Sequence, residues 1–233
     1  MILDLRFNNG GSVELARYLA ASIAGTSHRS DVFMKMQRSS GADEYIRFGD
    51  GDDLNLKSVR IICSEETASA SELIISGLRG IDFPVKLFGS RTEGKNVGME
   101  VQEYKYGNKY YEFAPITFRS FNAKDWGDYA DGIDPDVMLN NQNSNYEDDI
   151  DNVFPYAFGD WDNFDFNYPL YWALCDVQGV DPMTGEPVKR SGRSGMTRSQ
   201  PDEIIRVPSV PLKRPAGTFG SLIYNKPEVE NLY

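Results

Sequence analysis

The chain has 233 residues, with 24 Lys plus Arg against 35 Asp plus Glu and a formal net charge of −11. That length supports one substantial hydrophobic core carrying an appendage, and that charge repels a phosphate backbone, which argues against a nucleic-acid partner. No apolar run reaches the roughly 18 residues of a membrane-spanning helix, and two cysteines, Cys63 and Cys175, are too few for a disulfide framework.

Residues 1–5 read as a short apolar strand and lack the basic, apolar and small-residue sections of a signal peptide. Opening on a core-like strand fits a domain whose earlier portion is supplied elsewhere. After the turn at Gly10-Gly11, Ser12 is placed to cap a helix over residues 13–24, with Leu15, Tyr18, Leu19 and Ile23 as its apolar face and Gly25 as its stop. Residues 32–36 form a strand, and 39–53 a polar loop with a short extended piece at 45–48. Residues 59–63 are a second core strand, in which Cys63 serves as a small buried hydrophobe.

Ala70, Leu73, Ile74, Gly77 and Leu78 recur at helical spacing, which predicts a helix over 70–78 packed on the sheet. Residues 85–89 are the next strand. Strands that read as buried, alternating with helices, indicate an α/β layer structure. Residues 97–105 and 109–117 flank Tyr106-Gly107-Asn108 as a β-hairpin.

From about residue 122 the character changes. Asp and Asn dominate through Asp165, yet Tyr146, Phe154, Tyr156, Phe158, Trp161 and Phe164 interrupt them. A disordered tail lacks so many large rings, so residues 138–233 are expected to form an irregular extension packed on the core, its last part flexible. Pro169 opens a short helix there. The carboxylates at 160–165 lack the spacing and central glycine of a calcium loop and read as solvated. His28, the only histidine, cannot build a histidine-rich zinc cluster and reads as a surface residue. No metal or cofactor is expected.

Two residues carry the chemistry. Ser69, in Thr67-Ala68-Ser69-Ala70-Ser71-Glu72, stands where the second helix begins, and Lys95 closes the glycine turn Gly89-Ser90-Arg91-Thr92-Glu93-Gly94-Lys95. Taken alone, Ser69 and Glu72 read as a helix capping box, Lys95 as a solvated turn lysine, and Gly10-Gly11 as a plain turn. The functional reading brings Ser69 and Lys95 into one pocket, where a neutral lysine amine takes the serine proton and returns it to a leaving amine. Lysine is almost wholly protonated at pH 7, so Lys95 must be desolvated and away from a close carboxylate. The N–H of Ala70 and the Gly10-Gly11 turn are candidates for the oxyanion donors.

The strings Leu3-Asp4-Leu5-Arg6-Phe7-Asn8-Asn9-Gly10-Gly11, Thr67 to Glu72 and Gly89 to Lys95 resemble, in order, the core motifs of the C-terminal processing peptidases, or tail-specific proteases (peptidase family S41). Asp131-Gly132-Ile133-Asp134-Pro135-Asp136 is similar to a further family element. The resemblance spans about residues 1–137, the C-terminal part of the peptidase core. It implies a partial crotonase- or ClpP-like core of β-β-α units, Ser69 as nucleophile, Lys95 as general base, Ala70 with Gly10 or Gly11 as the oxyanion hole, and Glu72 in support. It further implies a peptide or unfolded-protein substrate and a periplasmic or extracytoplasmic setting, with lipoprotein anchoring in the full-length protein. Met99 stands where some members carry a glutamine that orients the lysine. An uncovered strand edge invites self-association, so a homo-oligomer is also expected. The alternative reading is an inactive or truncated homologue acting as a peptide- or glycan-binding or interaction module.

Overall fold

The computed structural model describes residues 1–139, 152–153, 164–179, 187, 210–211 and 224–225. In chain order the elements are β1 (Ile2–Asp4), α1 (Val13–Ala24), β2 (Val32–Arg38), β3 (Glu44–Arg47), β4 (Val59–Cys63), α2 (Ala70–Gly80), β5 (Val85–Gly89), β6 (Val97–Glu100), β7 (Gln102–Tyr106), β8 (Lys109–Phe113), β9 (Ile116–Phe121), β10 (Val137–Met138), β11 (Asn152–Val153), α3 (Phe164–Gln178), β12 (Val210–Pro211) and β13 (Tyr224–Asn225). They fall into two compact units, Met1–Met138 with Phe219–Tyr233, and Leu139–Thr218.

The first unit is α/β with two main sheets. A parallel sheet runs β1-β4-β5-β10, with Ile61 beside Leu87 and Ile62 beside Phe88. A mixed sheet runs β13-β6-β9-β2-β3, antiparallel except where β13 lies parallel to β6. Helix α2 packs on β2 of one sheet, on β5 of the other and on α1. All its residues except Arg79 are therefore buried. Burying Leu73, Ile74, Ile75 and Leu78 contributes about 1.5–3 kcal/mol each in transfer free energy. Gly77 lets the Phe33 ring lie on the helix, since a Cβ there would come within 2.6 Å of Phe33 Cδ2.

Helix α1 has the predicted bounds: the Ser12 hydroxyl accepts from the Leu15 N–H at 3.3 Å, and Gly25 ends it at φ 84°. Its buried face matches the expected one in part. Ile23 is buried and Leu19 packs against the core, but Leu15 is 68% exposed and Tyr18 41% exposed, while Val13, Ala16, Ala20, Ala21 and Ala24 face inward. At Ala21 the approach is close: a Cβ on Gly51 would lie 2.9 Å from Ala21 Cβ, leaving no room there for leucine.

The predicted hairpin forms in two steps. β6 pairs with β9, and after a break β7 pairs with β8 across a tight turn at Gly107-Asn108. The Phe118 ring lies across Gly98, its register partner, where a Cβ would fall 1.9 Å from Phe118 Cζ. In the second unit β11 pairs antiparallel with β12. Pro169 lies inside α3 and not at its first turn, as the sequence suggests, so the helix begins earlier and forgoes one backbone bond at the proline. Tyr171, Ala173 and Cys175 of this helix are buried. The acidic stretch 160–163 and most of 178–217 lie outside the described residues.

Candidate active site

Strands β1, β4 and β5 are parallel and adjacent, so the loops that follow them leave the same edge of the sheet, the usual location of ligand sites in such sheets. Those loops hold Leu5 to Gly11, Ser64 to Ser69 and Ser90 to Asn96. Thr67, fully buried, ties all three together. Its hydroxyl donates to Leu5 O at 2.8 Å and accepts from the Ser64 N–H at 2.9 Å, while its carbonyl accepts from the Glu93 N–H at 3.0 Å.

Ser69 precedes α2 with φ 60° and ψ −117°, a conformation rare for any residue with a Cβ. Such backbone strain costs about 1–3 kcal/mol and survives only where the surroundings enforce it. Here the enforcing contacts are the Ser69 N–H to Glu72 Oε2 at 2.8 Å and the Leu73 N–H to Ser69 O at 3.0 Å. Ser69 and Glu72 thus stand in the capping-box arrangement that the sequence suggests, with the Glu72 half closed at hydrogen-bond distance. The Ser69 hydroxyl is turned toward the Glu72 N–H in that box, but it is wholly buried and makes no hydrogen bond of normal geometry among the described residues. It is not hydrogen-bonded to the Lys95 amine either.

Glu72 is 0% exposed and receives four donors. Oε2 accepts from the N–H groups of Ser69 (2.8 Å) and Lys95 (2.9 Å), and Oε1 accepts from the Thr92 hydroxyl (2.5 Å) and the Gly94 N–H (2.8 Å). Burial pushes its carboxyl above the usual range, and these four hydrogen bonds pull the other way. The residue joins the start of α2 to the glycine turn that carries Lys95.

Lys95 is half-buried, and its ammonium makes no ion pair or hydrogen bond among the described residues. Desolvation lowers its pKa below the ordinary lysine value, against weaker opposing fields from Glu93 and Glu72. Behind the turn, Thr92 exchanges two bonds with Ile133: its N–H donates to Ile133 O at 3.2 Å and its hydroxyl accepts from the Ile133 N–H at 2.7 Å. The Asp131-Gly132-Ile133 segment therefore supports the Lys95 turn. Asp134 pairs with Arg91, and Asp136 accepts from the Leu87 N–H and from Arg79.

The two glycines of the first loop differ. A Cβ on Gly10, at φ 96°, would lie 2.7 Å from Ser69 Cβ and 2.8 Å from Ala70 N, whereas Gly11, at φ 140°, has nothing within 4 Å of that position. The Ala70 N–H, at the first turn of α2, has no acceptor among the described residues. The Gly10 N–H is held by Asn8 Oδ1 at 3.1 Å. Met99 lies in β6 beside Ile116 and Tyr224. His28 pairs with Asp31 through Nδ1 at 2.8 Å. Cys63 ends β4 with Sγ 3.3 Å from Ser90 O, and burial pushes its thiol up to about 12.

The family model described as Peptidase family S41 matches residues 1–139. The chain belongs to peptidase family S41. Among relatives of the S41 segment, a CtpA-like serine protease of Staphylococcus aureus (strain COL) is 27% identical over 165 residues, covering 70% of this chain and 32% of that protein. Another from Staphylococcus haemolyticus (strain JCSC1435) is 26% identical over 142 residues, covering 60% of this chain and 27% of that protein. The chain spans about a third of the length of the curated relatives it matches. In fold it is similar to an S41 protease from Bacteroides fragilis NCTC 9343, with TM-score 0.60 and 24% identity over 76% of this chain and 44% of that one.

Sequence reasoning picked out Ser69, Ala70, Glu72, Lys95, Gly10 and Gly11, and all six lie on these adjoining loops or at the start of α2. It missed Thr67, Thr92, Asn8 and Ser71. The signal available was small hydroxyl and amide residues in loops that must be buried, where backbone groups need side-chain partners.

Proposed function

We propose that this chain carries the catalytic Ser and Lys of a serine peptidase that hydrolyses peptide bonds through an acyl-enzyme. Ser69 is the nucleophile and Lys95 the general base. The observation that carries this reading is the convergence of the Ser69 and Lys95 N–H groups on Glu72 Oε2, beneath a serine whose hydroxyl is left unbonded. Strained backbone and an unsatisfied buried hydroxyl are both features that folding alone disfavours.

In this mechanism Ser69 Oγ attacks the substrate carbonyl carbon as its proton passes to neutral Lys95 Nζ. The negative charge on the carbonyl oxygen is met by the Ala70 N–H and by an N–H of the Gly10-Gly11 turn. The tetrahedral adduct collapses, breaking the C–N bond, and Lys95 returns the proton to the leaving amine. Water then attacks the ester carbonyl as Lys95 takes its proton, and the second adduct collapses with cleavage of the C–Oγ bond, the proton on Lys95 passing to Ser69 Oγ as the carboxyl product leaves. Glu72 holds the two loops in register and does not touch the substrate.

The substrate is a peptide or unfolded protein, read as an extended strand beside a sheet edge. The proposal includes a crotonase- or ClpP-like arrangement for residues 1–137, an extension over 138–233, self-association through the open sheet edge and an extracytoplasmic setting. The test is labelling by a serine-directed fluorophosphonate. Labelling of Ser69, lost in Lys95→Ala, supports the peptidase. Absence of labelling in a chain extended to full length sinks it and favours the second reading, a binding module, which the covered state of Ser69 also fits.

A further inference from the structure

The covering of Ser69 has a specific origin in the first loop. Ser69 is 0% exposed, and Gly10 is the residue packed against both its Cβ and the Ala70 nitrogen. In this arrangement no carbonyl carbon can reach Oγ, and the space beside the Ala70 N–H is occupied by Gly10 itself.

The loop is held in that position by Asn8 from two sides. Its backbone carbonyl accepts from the Ala68 N–H at 3.1 Å and from the Ser71 hydroxyl at 3.0 Å. Its side-chain oxygen accepts from the Gly10 N–H at 3.1 Å and shares the single Ser71 hydroxyl proton with the carbonyl, lying 2.9 Å from Ser71 Oγ. The backbone contacts dock the loop whatever the side chain is. The carboxamide oxygen does something narrower: it takes up the Gly10 N–H, one of the two donors the Gly10-Gly11 turn can offer a developing oxyanion.

Resting on the peptidase reading above, we propose that Asn8 is a positioning residue that keeps the Gly10 N–H satisfied while the site is closed and yields it to the substrate oxyanion when the loop opens. Asn8 Oδ1 and the oxyanion are competitors for one donor. With Asn8 kept docked by Ala68 and Ser71, moving Gly10 off Ser69 breaks the Asn8 bond, so the side chain adds to the work of opening. An oxygen of higher charge at this position holds the donor more tightly.

The sign of the Asn8 effect separates this role from a merely structural turn. Three proteins are compared, wild type, Asn8→Ala and Asn8→Asp, by the second-order rate of Ser69 labelling with a fluorophosphonate and by amide hydrogen exchange at Gly10. The expected order is Ala fastest and Asp slowest, with Asn8→Ala labelling about threefold to tenfold faster than wild type, the worth of one neutral hydrogen bond. Gly10 exchange should rise in Asn8→Ala and fall in Asn8→Asp. If Asn8 only shapes the loop, Asn8→Ala labels more slowly and Asn8→Asp matches wild type, which overturns the proposal and leaves the peptidase intact. Unchanged Gly10 exchange in Asn8→Ala overturns it independently of any activity. No labelling in all three proteins overturns the peptidase reading, and this proposal with it.

Discussion

Gly10 lies so close to Ser69 that a methyl group on it would sit 2.7 Å from Ser69 Cβ, and its φ of 96° is one that residues with a Cβ rarely adopt. Gly10→Ala therefore adds a clash to backbone strain. It should cost about 1–3 kcal/mol of stability and, although the clash disfavours the closed arrangement, suppress fluorophosphonate labelling of Ser69 by about a hundredfold, because the strained alanine also misplaces the neighbouring backbone donors by an ångström or so when the loop is open. Gly11→Ala meets the strain without the clash, because nothing lies within 4 Å. Urea unfolding and labelling rates on the two variants check the difference; equal labelling would show that Gly10 does not touch the working site.

Glu72 accepts four hydrogen bonds and donates none. Glu72→Gln is nearly the same shape, yet it turns an NH₂ group toward two of those donors. We expect a loss of about 2–4 kcal/mol, the cost of stranding buried donors, and a fall in Ser69 labelling even at temperatures where the variant remains folded. A variant as stable and as reactive as wild type would mean that the carboxylate does not join the two loops.

Burial lowers the folded-state pKa of Lys95 below its ordinary value of 10.5. Between the folded and unfolded values the native chain binds fewer protons than the unfolded one, so stability rises with pH through that window and is lost as pH falls through the folded pKa. Below that window, burying Lys95 is thus a burden on the fold. Lys95→Met should raise the urea midpoint at pH 7, abolish labelling, and lose its stability advantage as pH approaches 10.5. An advantage that is the same at both pH values would assign the effect to packing instead of charge.

Cys63 should be inert. Its thiol is 1% exposed, with a pKa pushed up to about 12, so almost no thiolate exists at pH 8. Native protein treated with iodoacetamide should show Cys63 unmodified by peptide mass mapping and modified after unfolding in guanidinium. Rapid native modification would indicate that the ends of β4 and β5 open readily.

Much of this was legible because it is local. Ser12 and Gly25 announce both ends of α1, and the buried runs of β4 and β5 announce the parallel sheet. The inward face of α1 was legible only in part, since hydrophobicity favours Leu15 and Tyr18 beside Leu19 and Ile23, and the close approach of Gly51 to Ala21 leaves no trace in the periodicity. At the site, Ser69, Glu72 and Lys95 stand in short recognisable strings, but Ser69 followed by Glu72 looks like an ordinary cap. The positive φ of Ser69 is held by local bonds to Glu72 and Leu73, but Glu72 is itself fixed by Thr92, Gly94 and Lys95 from a distant loop. Thr92 to Glu72 spans 20 residues and Thr67 to Leu5 spans 62, and neither link has a periodicity to betray it.

The Phe118 ring lies across Gly98 of β6, and Lys95 stands in the loop two residues before that strand begins. Sliding β6 by two residues against β9 would shift it by roughly 7 Å and bring Asn96 or Glu100, each with a Cβ, beneath that ring. The ladder accepts one alignment only. A missing side chain thus acts as the ruler from which the reach of the lysine is measured, so that a substitution at Gly98 should displace Lys95 by changing where the strand after it is allowed to begin.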